Sequence, residues 1–430
     1  MLSFLLRKEI TMNYKPIPLF YAANEHFKNT LRFAVEFNDT IDPAALKYAV
    51  EQVQIRYPYF SVKVERNGEE LVLAENNLPF VIAAGEKPVC LNCEESNGHL
   101  LAFAWKDRTL WVDISHFICD GNGLAPIVKT LVYYYAEKRY NVNNIDTEYI
   151  RLVTDVIKED EYLYPFPDAP ISCENALELK PKEYDPFLFD DELFDDEGQY
   201  AYNLQIKQKE LMKYAKSNDG SPVSFVSVML FKALTEFCPD TEKDIVFQIP
   251  HEYRGVLGRP LSHDCLARVF KAKLTAKDRN KPVEMLNTFV RGQVILGCEE
   301  SADIAAVNGM VQLNAYMQTL SLEAKKQTMI GLVSNSYDKN TFGVSYTGNI
   351  SWGGLEKYIS DIHIYAGEND RHDTLSIVLF TLGDKFSLCV MQPGKNPAFV
   401  EALRNTFARN GIDCMLVSEE RFRLADYVLP

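Results

Sequence analysis

The chain has 430 residues, 47% of them hydrophobic and 24% charged, with 25 Phe and 23 Tyr; this is ample material for packed cores and argues against disorder over most of its length. The length exceeds one ordinary core and predicts two domains. A formal net charge of −15, with no cluster of Lys and Arg to neutralise phosphates, excludes nucleic acid as the expected partner, and no apolar run reaches the roughly 18 residues of a membrane span.

The apolar stretch Met1 to Leu6 ends at Arg7, Lys8 and Glu9, too short for a secretory segment, and Met12 is an alternative start. Leu31 to Phe37 reads as a strand. Asp42 and Pro43 then open a helix as cap and first residue, with Leu46, Ala49, Val50 and Val53 on one face and a stop at Tyr57-Pro58. Phe60 to Val64 and Leu71 to Ala74 form a hairpin through Asn67-Gly68. His99 to Trp105 and Leu110 to Ser115 form a second hairpin, which puts His116 at a strand end. After Gly121 the period changes, and Leu124, Ile127, Val128, Leu131, Val132 and Tyr135 predict an amphipathic helix to about Tyr140.

From 158 to 198 periodicity fails. Prolines punctuate the segment, and the acidic run Asp190 to Glu197 predicts a solvated face within a crossover or linker. The second half reads as a strand near Tyr202 to Ile206, a helix capped by Ser221-Pro222 through Phe237, and a strand from Asp244 to Ile249. One or two helices follow over Pro282 to Leu320, broken near Gly297. Strand-like runs come next at Leu332–Ser336, Phe342–Tyr346, Ile362–Tyr365, Leu375–Thr381 and Phe386–Met391, then a helix from Pro397 to Phe407. The expected division is therefore 1–157, a linker over 158–198, and 199–430. No fixed-period repeat is present, which excludes a solenoid.

The nine Cys form an odd count without disulfide-like spacing, so reduced thiols and a cytoplasmic setting are expected. Cys90 and Cys93 lack a second pair at zinc spacing, and His251, His263 and Asp264 lack diagnostic metal spacing, so no metal is expected. The stretch that carries chemistry is Trp111 to Gly121. An apolar strand ends by presenting His116, whose ordinary pKa suits proton transfer near neutrality. Asp120 either holds that imidazole or caps the following helix, and Gly121 permits a sharp turn or a close approach of substrate to backbone. Cys119 and Ser115 are poor nucleophile candidates: Cys119 shares a tight turn with the His, and Ser115 faces the opposite side of the strand.

The string His116-Phe-Ile-Cys-Asp120-Gly121 resembles the HxxxDG signature of the superfamily with the chloramphenicol acetyltransferase fold. That superfamily includes peptide-synthetase condensation domains, plant acyl-CoA-dependent acyltransferases and microbial alcohol acyltransferases. Softer echoes are Arg56-Tyr57-Pro58, Ile249 to Gly255, and Ser345-Tyr346-Thr347-Gly348-Asn349. The resemblance implies an α/β (α+β) fold of two subdomains, each a mixed sheet flanked by helices, arranged as a V around a central tunnel. It implies that His116 is the general base, with Asp120 and Gly121 completing the catalytic motif. Asp120 is then structural and paired with Arg254, while Tyr346 and Asn349 line the tunnel. It further implies an acyltransferase that takes acyl-CoA, or a carrier-bound thioester, as co-substrate and an alcohol or amine as acceptor, with no resident cofactor. Ser115 replaces the first of the two consecutive His of condensation domains, and Asn349 to Gly354 is unlike the plant DFGWG segment; both point toward the alcohol acetyltransferase type. The rival expectation is a catalytically inactive condensation-like fold that serves as a binding or interaction module.

Overall fold

A computed structural model describes residues 17–23, 29–142, 144–173, 184–189, 198–337, 340–348, 351–366 and 374–430, without the side chains of 334–337. The acidic run within 190–197 and Asn349 lie outside the described residues.

Among the described residues, six strands occur in the first half: β1 (Thr30–Phe37), β2 (Val62–Asn67), β3 (Glu70–Glu75), β4 (Ile82–Ala84), β5 (Leu101–Lys106) and β6 (Thr109–Ser115). Eight follow: β7 (Gln199–Lys207), β8 (Ile245–Glu252), β9 (Ala267–Leu274), β10 (Phe342–Tyr346), β11 (Ile359–Tyr365), β12 (Leu375–Leu382), β13 (Lys385–Pro393) and β14 (Met415–Phe422). They form a five-stranded sheet in the order β11-β1-β6-β5-β4, a seven-stranded sheet in the order β14-β7-β13-β12-β10-β8-β9, and the β2-β3 hairpin. Both large sheets are mixed. In the first, β4 runs parallel to β5; in the second, β10 runs parallel to both β8 and β12. Strand β11 comes from the 199–430 segment, yet it pairs antiparallel with β1, so the first sheet is completed by the second half of the chain.

The helices follow from local signals. Asp42 Oδ1 accepts the Ala44 and Ala45 amides at 2.8 and 3.1 Å and starts the helix Pro43–Arg56. That helix and Gly121–Tyr140 pack their apolar faces on the first sheet, where Leu46, Val53, Leu124, Ile127 and Leu131 join Phe33 and Val112 in one core. The helices Pro222–Phe237, Val283–Gly297 and Ala398–Arg409 cover the second sheet in a separate core. The crossover adds Phe189, 3% exposed, to that second core.

Three expectations need correction. Leu332–Ser336 is not a strand but the end of a helix, Leu322–Tyr337. Ser321 opens it: the Ala324 amide donates to Ser321 Oγ, and Lys325 N to Ser321 O. In the first hairpin Asn67 pairs with Glu70, which moves the two-residue loop to Gly68-Glu69, with Gly68 at φ +62°. Strands β9 and β14 and the helix Gln208–Ser217 were not expected at all.

Candidate active site

His116 follows the last residue of β6, and the strand end is pinned beside the start of β1: the His116 amide donates to Asn29 O, just before that strand, at 2.8 Å. The side chain is partly exposed and lines a cavity of about 240 Å³ between the two sheets. Leu31 and Phe33 of β1 and Ile364 of β11 form one wall; Gln248 of β8, Ser345 of β10 and Met391 of β13 form the other. Nδ1 is buried with no group in hydrogen-bonding geometry, which leaves Nε2 as the ring nitrogen that can meet a ligand. Burial pulls the imidazole below its ordinary value of 6.5, with the Asp120 carboxylate and the backbone of His116 and Cys119 partly opposing that shift. The ring is therefore neutral and basic at neutral pH.

Asp120 makes no hydrogen bond to His116. Its Oδ1 accepts the Gly123 amide at 2.8 Å, capping the helix, and Arg254 Nη2 at 2.7 Å; its Oδ2 accepts the Leu266 amide at 3.2 Å. Arg254 donates onward to Asp264 O, Ser262 O and Glu252 Oε2. Burial alone would lower the guanidinium, but Asp120 and then Glu252 outweigh it and hold it above its usual value. Both partners of the ion pair are buried, at 6% and 5% exposure, so the carboxylate is a clamp between the start of the Gly121–Tyr140 helix and the 252–266 segment.

The glycines divide their work differently from the expectation. Gly121 does not have a positive φ, and a Cβ there would sit at an ordinary 3.8 Å from Thr347 Cγ2; its hydrogen side leaves cavity space beside His116. Gly123 is the position that sterics demand, because a Cβ would come within 2.1 Å of His263 O. His263 itself is fully buried. Its Nδ1 donates to Gly123 O at 2.6 Å and its Nε2 accepts from Arg151 Nη1 at 2.7 Å, so it is a neutral structural imidazole. Burial, then Arg151, hold it well below the usual value. Arg151 shares the buried Glu161 with Arg56 and Tyr59. Position 263 was read only as a weak metal candidate; its partners come from distant segments, and no local pattern announces them.

Cys119 is buried and burial pushes its thiol well above the usual range, so it supplies no thiolate. His251 pairs with Asp303 and is not brought together with His263; among the described residues no cluster of metal-ligating side chains occurs. Tyr346 does not line the cavity. It faces the second core, 6.0 Å from the Phe386 ring, and the residues on either side of it, Ser345 and Thr347, face the cavity instead. Alternation along a strand is the cause.

No family model matches the sequence, and no curated protein sequence is similar to it. Solved structures do share its fold. F. graminearum TRI101 complexed with coenzyme A and deoxynivalenol superposes with a TM-score of 0.63 at 9% identity, covering 93% of this chain and 99% of that one. Polyketide synthase associated protein 5 from Mycobacterium tuberculosis gives 0.56 at 13% identity, covering 91% and 96%. The condensation domain from the Monacolin K polyketide synthase MokA gives 0.51 at 10%, covering 92% and 96%. The chain therefore has the chloramphenicol acetyltransferase-like fold of two mixed sheets flanked by helices. Among the described residues no helix is long and apolar enough to cross a membrane.

Proposed function

We propose that the protein is an acyltransferase that moves an acyl group from an acyl-CoA or carrier-bound thioester to an alcohol or amine, with His116 as general base. The observation that carries this reading is a neutral histidine at a strand end, one ring nitrogen free, facing a cavity between two sheets while its neighbouring carboxylate is committed elsewhere. The similarity to TRI101, whose structure contains coenzyme A, supports coenzyme A as the carrier of the acyl group.

The mechanism requires the neutral imidazole's proton on Nδ1, with Nε2 left as the acceptor. Nε2 takes the proton of the acceptor hydroxyl or amine as its oxygen or nitrogen attacks the thioester carbonyl. The carbonyl becomes a tetrahedral oxyanion, and a positioned donor there contributes about 3 kcal/mol. Ser345, on the cavity side of β10 with no hydrogen-bond partner among the described residues, is the hydroxyl we assign to it. The C–S bond breaks, and Nε2–H returns its proton to the departing thiolate. Protons and electrons balance without a metal, cofactor or covalent enzyme intermediate.

The test is a mass-spectrometric screen of acyl-CoA donors against pooled alcohols and amines. Acylated product formed by the wild type and absent with His116→Ala supports the reading. Product formed equally by both proteins, or coenzyme A binding with no transfer to any acceptor class, favours a binding module and contradicts it.

A further inference from the structure

Between β4 and β5 the chain carries Cys90-Leu91-Asn92-Cys93. Val89 and Leu91 are buried in a small core with Ala102 and Ala425. Cys90 and Cys93 are each partly exposed, whereas Cys119, Cys389 and Cys414 are buried. Asn92 adopts a left-handed φ of +54°, which Asn tolerates better than most residues, and the chain turns back between the two cysteines. Cys93 Sγ donates to Cys90 O at 3.3 Å, and the Cys90 and Cys93 side chains are hydrogen-bonded to each other. Thiols that converge across a turn meet the condition a disulfide sets. Metal binding is the rival use of such a pair. Glu95 and Asp426 lie near Cys90, but among the described residues no cluster of metal-ligating side chains occurs.

The same loop holds the C-terminal strap. The Leu91 amide donates to Asp426 O at 2.8 Å and the Val428 amide donates to Leu91 O at 3.2 Å, forming a parallel bridge between Leu91 and Tyr427. Asn92 fastens both sides: its Nδ2 donates to Val428 O at 2.6 Å, and its Oδ1 accepts the Val64 amide at 2.7 Å. Further up the strap, Leu424 lines the active-site cavity, and Ala425 O accepts Thr30 Oγ1 at 3.1 Å. The Tyr427 ring packs 6.2 Å from that of Phe117, the residue next to His116. The two residues between the cysteines therefore hold a segment that walls the cavity.

We propose that Cys90 and Cys93 are a dithiol–disulfide site for small disulfides of the glutathione class, and that its oxidation locks the 424–428 strap in place. This redox chemistry is independent of acyl transfer. Burial, then the hydrogen bond to Cys93, push the Cys90 thiol up, so Cys90 stays protonated and Cys93 makes the first attack. The Cys93 thiolate bonds to one sulfur of the small disulfide and releases a small thiolate, which takes up the proton Cys93 gave away. The Cys90 thiol then loses its proton and attacks Cys93 Sγ, expelling the second small thiol. In sum one S–S bond breaks and one forms, two electrons pass from the cysteine pair to the oxidant, and two protons end on the released thiols. A covalent ring over residues 90–93 restricts the loop, and opening of that loop is what exposes the Val428 amide to exchange.

The full-length protein is incubated with glutathione disulfide, quenched by alkylation and mapped by mass spectrometry, and deuterium exchange is followed in the peptide that carries Val428. The expected result is a 90–93 peptide lighter by two hydrogens, with exchange at Val428 slowed by about tenfold, as ring closure of that size allows, and restored by dithiothreitol. Cys90→Ser should stop at glutathione bound to Cys93, with no slowing at Val428. A 90–93 peptide that stays reduced, or a disulfide that leaves exchange at Val428 within about twofold of the reduced protein, overturns the proposal.

Discussion

At the residue scale the division of labour between His116 and Asp120 decides the chemistry. A carboxylate four positions from a histidine invites a catalytic dyad, but Asp120 spends both oxygens on Gly123, Leu266 and Arg254. Asp120→Asn keeps a capable helix cap but leaves the buried Arg254 without its principal counter-ion, so the expected loss is about 3 kcal/mol of stability, read by urea denaturation, with activity falling alongside. A fully stable but inactive Asp120→Asn would place Asp120 in the chemistry instead. His116 makes the complementary prediction. Its folded pKa lies below 6.5 because the ring is desolvated, and only the neutral ring takes a proton. The value of kcat/KM should therefore be flat through neutrality and fall on an acid limb centred below 6.5; a limb centred above it would mean another group titrates. The ion pair with Arg254 was legible in the sequence only through a family likeness. The demand for glycine at 123 was not legible, because the obstructing oxygen belongs to His263, 140 residues away.

At the element scale the site is made by strand ends and strand faces. Helix and strand positions over 111–140 were legible because the period changes sharply at Gly121. The face of β10 was misread: Tyr346 is the conspicuous side chain, yet alternation hands the cavity to the smaller Ser345 and Thr347. Ser345→Ala should lower kcat by about 100-fold if its hydroxyl meets the oxyanion, with coenzyme A affinity kept in calorimetry; a change of less than threefold removes Ser345 from that role. Strand β9 carried a readable signal, with Phe270, Ala272 and Leu274 alternating with Lys271 and Lys273. Strand β14 did not: it is an edge strand whose Met415, Leu416 and Val417 are all exposed, so burial imposes no alternation on its first residues. The helix over 322–337 was missed for a different reason. Leu332-Val333 looks like the start of a strand in isolation, and only Ser321 and the spacing of Leu322, Lys325 and Met329 reveal the period.

At the scale of the whole molecule, the two halves are tied by β11 in the first sheet, by Asp120–Arg254, and by Arg56, Glu161, Arg151 and His263. Apart from Arg151–Glu161 these ties join residues far apart in sequence, which explains why Ile362–Tyr365 was readable as a strand while its place in the first sheet, beside β1, was not. The ties also set the response to acid. Burial holds His99, His116 and His263 below 6.5 in the folded state, so the unfolded chain binds those protons first. Stability should fall as pH drops through and below 6.5, by up to about 1.4 kcal/mol per pH unit for each such ring. His363 acts in the opposite sense. Burial lowers it, but Glu36 and then Asp361 raise it overall, so its contribution is present below 6.5 and lost as pH rises through its folded value. Asp113 opposes as well: burial raises its carboxyl to about 6, so the folded state takes that proton first as pH falls. Three against two still predicts net acid destabilisation, measurable by denaturation between pH 7 and 5; stability rising over that range would contradict the burial account.

The central claim is that His116 removes the acceptor's proton. On a donor and acceptor pair found by screening, single-turnover acyl transfer by His116→Ala should be slower than wild type by about 100-fold to 10,000-fold, with coenzyme A bound within twofold of wild type. Transfer by His116→Ala at the wild-type rate would contradict the account.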